Sequence, residues 1–366
     1  MFKIKWLLFS LLSLIFIGCE GIKKVSDRVF ETSARKKYQS GFKGNPQQLI
    51  KWTANFENAS RTKLLIKDSY SATARFDSLD LFALGYRIPV QRGDKLIINA
   101  QSTNQSKIFV DISKNSAAND EMQSELLENG EFSTFIENSD TITVVVQPEI
   151  GFVGDFHFQI FTQPSLSFPV AGKGNRDVQS FWGANRDGGA RSHEGVDIFA
   201  KRGTPVVAAT DGYISRTGNS GLGGKQVWLR SEQYGTSLYY AHLDSIIAKD
   251  GTRVKTGDTL GTVGSTGNAA GGAPHLHFGI YGMGGASDPY PFIRTREKPA
   301  PKTFKFTTGH MIKSGSNLRL GPGTDFPVAA LVTGKTSAKV LSGNGEWFQV
   351  VAENGAQGFI NSGRLE

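Results

Sequence analysis

From residue 45 onward, apolar positions recur in short runs separated by turn residues, and no stretch sustains the one-sided 3.6-residue stripe of a long helix. Between 45 and 165 the runs fall at 63–66, 79–90, 95–98, 107–112, 141–146 and 156–161. Their length and spacing predict a β-sandwich over 45–165. Within it His157, in Phe156-His157-Phe158, reads as a strand residue. Residues 20–44 are polar and basic with little periodicity and read as a flexible tether or a short, poorly anchored helix. Lys298-Pro299-Ala300-Pro301-Lys302 reads as an extended linker, and 303–366 as a last compact unit.

Composition sharpens this picture. A chain of 366 residues has room for two or three domains with separate cores, and its 43 glycines favour a mainly β protein rich in turns. At the N-terminus Lys3 and Lys5 precede the apolar run 6–18, which is short for a bilayer span and reads as a secretory signal. Cys19 is the single cysteine, which excludes an intramolecular disulfide. The formal charge is +8, and residues 20–44 hold seven Lys/Arg against three acidic residues, a net +4. Such a segment favours anionic membrane surfaces; no nucleic-acid motif accompanies it, which argues against nucleic-acid binding.

The chemistry concentrates in 168–295, which hold four of the six histidines. Arg191-Ser192-His193-Glu194-Gly195-Val196-Asp197-Ile198-Phe199 opens like a helical HExxH motif, but Asp197 replaces the second histidine and Gly195 interrupts a helix. A strand is predicted instead. His193 and Asp197 would then share a face with Gly195 leaving space between them, and Glu194 and Val196 would point away. Pro274-His275-Leu276-His277-Phe278-Gly279 similarly places both imidazoles on one face, cleared by Gly279. Leu238-Tyr239-Tyr240-Ala241-His242 is an apolar strand ending in a histidine. One imidazole from each of the first two strands plus a carboxylate makes three ligands and leaves a fourth position for water, the arrangement of a hydrolytic zinc site.

Together the three segments resemble the lysostaphin-type (LytM-like) zinc endopeptidases, whose pattern is HxxxD, a histidine at a strand end, then HxH. Gly203-Thr204-Pro205-Val206, Val254-Lys255-Thr256-Gly257-Asp258 and Gly261-Thr262-Val263-Gly264-Ser265-Thr266-Gly267-Asn268 extend the resemblance. It implies a central antiparallel β-sheet zinc peptidase domain over 168–295. It also implies one zinc per chain on His193, Asp197 and His277, with His242 and His275 as the unliganded catalytic pair. One of that pair would take a proton from water and the other would stabilise the oxyanion. The competing reading is a non-catalytic wall-binding activator of another hydrolase; such relatives typically lose ligands, and here all five positions are filled.

Two further resemblances complete the expectation. Ser316-Asn317-Leu318-Arg319-Leu320-Gly321-Pro322-Gly323, followed by Gly345-Glu346-Trp347-Phe348 and Gly358-Phe359-Ile360, resembles a bacterial SH3-like domain. This implies a small β-barrel over 303–366, with Trp347 and Phe359 in structural roles and His310 without a ligand-spaced partner. Phe16-Ile17-Gly18-Cys19 resembles the lipobox of bacterial lipoproteins, which implies a signal peptide over 1–19, acylation of Cys19 and a basic tether over 20–44. The expected protein is exported and lipid-anchored to a bacterial membrane, facing the periplasm or associated with the outer membrane. It would cut the peptide cross-links of peptidoglycan.

Overall fold

The computed structural model describes residues 33–77, 79–102, 104, 106–115, 122–128, 130–232, 234–302 and 310–366. The expected signal peptide, Cys19 and residues 20–32 of the tether lie outside the described residues. Strands dominate and all of the paired strands run antiparallel to their neighbours, giving the mainly β fold that the short apolar runs predict. Among the described residues no helix is long and apolar enough to cross a membrane.

Order begins earlier than the apolar pattern indicates. Ala34–Gly41 is a helix, capped by the Ser33 side chain accepting from the Lys36 N–H. It is anchored by a buried arginine: Arg35 makes three hydrogen bonds to the Asp111 carboxylate and one to Gln147 Oε1, and its guanidinium lies over the rings of Trp52, Phe56 and Phe109. A stretch anchored through one cation leaves no hydrophobic periodicity to read. The following helix, Pro46–Ser60, starts with proline in its first turn and Asn45 as cap, and buries Trp52, whose Nε1–H donates to Pro148 O at 2.9 Å.

The N-terminal strands form two sheets with a shared core. In one, Leu84–Val90, Asp140–Pro148, Ile108–Lys114 and Met122–Leu127 lie side by side; in the other, Ser69–Phe76, Gly154–Pro164, Asp94–Ser102 and Gly130–Phe135. Alternation selects the core: Leu96, Ile98 and Ala100 from one strand meet Phe156, Phe158 and Ile160 from the next. His157, between two core phenylalanines, faces the other way and bonds through Nδ1 to the Thr73 hydroxyl.

The second sheet continues into the C-terminal strands, because Thr73 and Ala74 pair with Gly343 and Ser342 of Thr336–Gly343. Trp347 and Phe359 are buried in the N-terminal core beside Tyr70 and Tyr86, and the Tyr86 hydroxyl donates to Gln349 Oε1 at 2.6 Å. The aromatic positions of the last unit therefore serve packing between the two ends of the chain.

The middle region has a separate core, centred on Val196, Ile198, Leu229, Tyr240, Leu276 and Phe278. Its eight-stranded sheet runs Arg253–Val254, Gly212–Ser220, Gly224–Ser231, Ser237–Ala241, His275–Gly282, Val196–Phe199, Val178–Ser180, with Gly285–Ser287 paired to His275–Gly282. The N-terminal unit contacts this region away from the histidines. Asp94 pairs with Arg296, and Gly93 (φ 95°) lies so close to Phe292 that a Cβ would approach the ring to 2.7 Å.

Candidate active site

His275–Gly282 is the central strand of the site. Asp197 lies directly opposite His277 on one side and Ala241 opposite it on the other, so both neighbouring strands deliver side chains to the same face. Leu276 and Phe278 enter the core on the opposite face, as the period of two requires.

The structure corrects the expectation of a continuous strand through His193. Residues 193–195 lie between Arg191–Ser192 and Val196–Phe199, and the His193 backbone bonds instead to residues 183–184: its N–H donates to Ala184 O and its carbonyl accepts from Gly183 N, both at 2.9 Å. Glu194, expected to point away with Val196, consequently lines the groove. Gly195 does not leave empty space either. A Cβ there would lie 2.6 Å from both His277 Cε1 and the Phe278 carbonyl, so glycine allows the backbone to press against the imidazole. At Gly279 the space is likewise occupied, by the Tyr281 ring.

His193 Nε2, Asp197 Oδ1 and His277 Nδ1 converge. The separations are 3.0 Å between the two nitrogens, 3.0 Å from His193 to Asp197 and 3.1 Å from His277 to Asp197. His193 Nδ1 is 2.9 Å from the Phe181 carbonyl, which can only accept, so the proton sits there and Nε2 presents a lone pair. Asp197 is pushed up by burial, but the His193 and His277 rings beside its carboxylate outweigh this and hold its carboxyl well below the usual range. His277 moves down, chiefly through burial. Two imidazole nitrogens and a carboxylate oxygen about 3 Å apart repel one another unless a proton or a cation lies among them. Tetrahedral bonds of about 2.0–2.1 Å to a zinc ion would set ligand atoms about 3.3 Å apart, so this donor set fits such an ion with a small adjustment.

His242 and His275 stand beside this cluster, with ring centroids 5.0 Å apart; His242 is 5.8 Å from His277. His242 follows Ser237–Ala241 at φ 62°, a left-handed kink that ends the strand and turns the imidazole into the groove. Its Nδ1–H donates to Thr266 O at 2.9 Å. Burial, with help from the neighbouring His275 and His277, pulls its pKa down to about 4, so the ring is neutral near pH 7. His275 donates from Nδ1 to Ala273 O and stacks on Phe199. In both rings the carbonyl contact at Nδ1 leaves Nε2 as the nitrogen free to exchange a proton.

Several groups escaped the sequence. Arg186 donates from Nη2 to Asp197 Oδ2 and to Ser180 Oγ, both at 2.7 Å, occupying the carboxylate oxygen that faces away from His193. Thr266 organises His242: its hydroxyl bridges the Lys225 N–H and the Leu243 carbonyl, fixing the carbonyl on which Nδ1 rests. The site opens into a groove of about 680 Å³ whose wall includes Trp228, Tyr239 and Tyr281. Tyr239 was distinguishable from Tyr240 by alternation, since Tyr240 is wholly buried. Every residue lining the groove falls within 180–281.

Residues 191–289 match the sequence model of Peptidase family M23. The M23 match thus contains all five histidine and aspartate positions. Among curated proteins, similarity extends to "L-Ala--D-Glu endopeptidase" of Bacillus subtilis, 36% identical over 144 residues, covering 36% of this chain and 44% of that protein. "Peptidoglycan DD-endopeptidase ShyC" of Vibrio cholerae is 34% identical over 151 residues, covering 40% and 33%. "Glycyl-glycine endopeptidase ALE-1" of Staphylococcus capitis is 40% identical over 109 residues, covering 28% and 30%. This chain spans less than half the length of these relatives, and the similarity is concentrated in a part of each.

Proposed function

We propose that this chain is a zinc-dependent endopeptidase that hydrolyses peptide cross-links of bacterial peptidoglycan. The observation that carries the proposal is the meeting of His193 Nε2, Asp197 Oδ1 and His277 Nδ1 beside two further imidazoles in an open groove. The M23 match and the endopeptidase names of its relatives support the reaction class.

His193, Asp197 and His277 would hold the metal, which supplies Lewis acidity that acidifies a water and polarises a carbonyl. The remaining chemistry belongs to the protein. His242 and His275 each have Nδ1 engaged by a backbone carbonyl, which leaves Nε2 as the atom that can take a water proton. Once protonated, either ring can return a proton to the leaving amine or donate to the developing oxyanion. The low pKa of His242 favours release of that proton. Arg186 holds Asp197 from behind and keeps its charge and orientation constant.

The proposal extends to location. A lipid on Cys19 would hold the enzyme at a bacterial membrane facing the periplasm or with the outer membrane, and the basic segment would favour anionic lipid. The support is the 1–19 sequence pattern. The C-terminal unit is proposed to be SH3-like, with Trp347 and Phe359 buried against the N-terminal core and hence structural.

Digestion of purified sacculi tests the function. The zinc-loaded protein should release new peptide ends, identified by mass spectrometry, and a chelator should stop the release. Stimulation of a second hydrolase without any release by this protein alone would establish an activator in place of an enzyme.

A further inference from the structure

The sheet face that bears the histidines continues beyond them. One cross-strand row is Asp197, His277 and Ala241; the adjacent row is Gly279, Tyr239, Trp228 and Arg216, each directly opposite the next. Directly opposed residues share a face, and so do alternate residues of one strand, so both rows lie on the sheet face that floors the groove, with Trp228 and Tyr239 lining it and Arg216 just beyond its lining. The rings are in contact: Trp228 and Tyr239 have centroids 4.4 Å apart, Trp228 and Tyr281 5.3 Å, and Tyr239 and His277 5.8 Å. Gly279 makes this possible, because a Cβ there would come within 2.8 Å of the Tyr281 ring.

Arg216 closes the row. Its guanidinium lies 5.2 Å from the Trp228 ring centroid, and its charge draws the Tyr239 phenol down against the upward push of burial. Four arginines of the same region are paired: Arg186 with Asp197, Arg191 with Asp187, Arg202 with Asp244 and Arg253 with Glu232. Exposed Arg216 has no carboxylate partner among the described residues. A guanidinium lying over an indole keeps its N–H edge free for a bidentate carboxylate. Glu194, which lines the groove near Tyr281, repels an anion there, whereas Arg216 attracts one beside Trp228.

We propose that Arg216, Trp228 and Tyr239 form a substrate subsite that binds a carboxylate of a peptidoglycan stem peptide, with the two rings carrying the adjacent peptide chain. The inference rests on the peptidase reading above and deepens it, since it selects peptides bearing free carboxylates over uncharged glycine bridges.

Full-length zinc-loaded protein is titrated calorimetrically with two probes: the stem tetrapeptide L-Ala-D-Glu-diaminopimelate-D-Ala, and the same peptide with its carboxylates converted to carboxamides. A matched cross-linked pair is used for hydrolysis. Wild type should favour the carboxylate form about tenfold, the scale of one charge-assisted hydrogen-bonded pair. Arg216→Gln should reduce the preference to less than about twofold, raising KM with kcat kept, and Arg216→Lys should fall between. No preference in wild type, or the same preference in Arg216→Gln, overturns the subsite. If neither cross-linked substrate is cut while the binding preference still depends on Arg216, the subsite stands and the peptidase proposal falls.

Discussion

Two of the arginine–aspartate pairs in the molecule are of similar length, yet their surroundings give them opposite uses. Arg35 and Asp111 meet at 2.5 Å with side chains 5% and 0% exposed, and aromatic rings and Gln147 occupy the rest of the guanidinium. Arg186 and Asp197 meet at 2.7 Å with side chains 28% and 10% exposed. Here the arginine engages one carboxylate oxygen, and the other faces His193 and His277 at the foot of an open groove. A pair shut away from solvent, with both carboxylate oxygens bonded to its arginine, can only hold the protein together. A pair that leaves an oxygen pointing at two lone pairs is equipped to hold a cation.

Breaking the closed pair should have the larger effect on folding. Arg35→Ala strands a buried carboxylate and should lower stability by about 3–5 kcal/mol, read from urea unfolding. Zinc affinity of the folded fraction should be unchanged. A stability change under about 1 kcal/mol would show that the Ala34–Gly41 helix is loosely attached.

Breaking the open pair should do the reverse. Arg186→Gln should weaken zinc binding by about 10–100-fold, the usual consequence of removing a partner of a metal ligand, measured by competition with a chromogenic chelator. Its effect on stability should be the smaller of the two. Unaltered zinc affinity would mean that His193 and His277 orient Asp197 unaided.

The smallest effect is confined to acid and sharpens the contrast between a permanent cation and a titratable one. Arginine side chains are cations at every pH of interest, whereas burial lowers His242 to about 4, against about 6.5 in an unfolded chain. As pH falls below about 6.5 the unfolded state takes the proton first. The stability tied to neutral His242 is therefore complete above that pH and declines as pH falls toward 4. In metal-free protein the His242 Hε1 resonance should titrate with a midpoint near 4, and the stability difference from His242→Gln should change over that window; a midpoint above 6 would contradict the burial argument.

The contrast also shows what a linear sequence discloses. Strand periodicity and residue spacing brought His193, Asp197, His242, His275 and His277 to notice, because ligands on alternate positions of adjacent strands leave a pattern. The neighbours that orient them leave none. Arg186 reaches Asp197 from a two-residue strand, Asn185–Arg186, and the Phe181 and Thr266 carbonyls that set the imidazole tautomers are backbone atoms available at any residue. The break at 193–195 was hidden because an HxGxD-like alternation looks the same whether the backbone pairs with a neighbouring strand or with residues 183–184. Docking of the two chain ends was hidden for another reason. Trp347 and Phe359 read as core positions, but the pattern does not say which core, and they enter that of Tyr70 and Tyr86.

The most direct test is metal stoichiometry by native mass spectrometry, with wild type, Asp197→Ala, His242→Ala and Arg35→Ala measured after the same zinc loading and dialysis. The account predicts one zinc per chain in wild type, in His242→Ala and in folded Arg35→Ala, and none in Asp197→Ala. Zinc retained by Asp197→Ala, or absent from wild type, would contradict it.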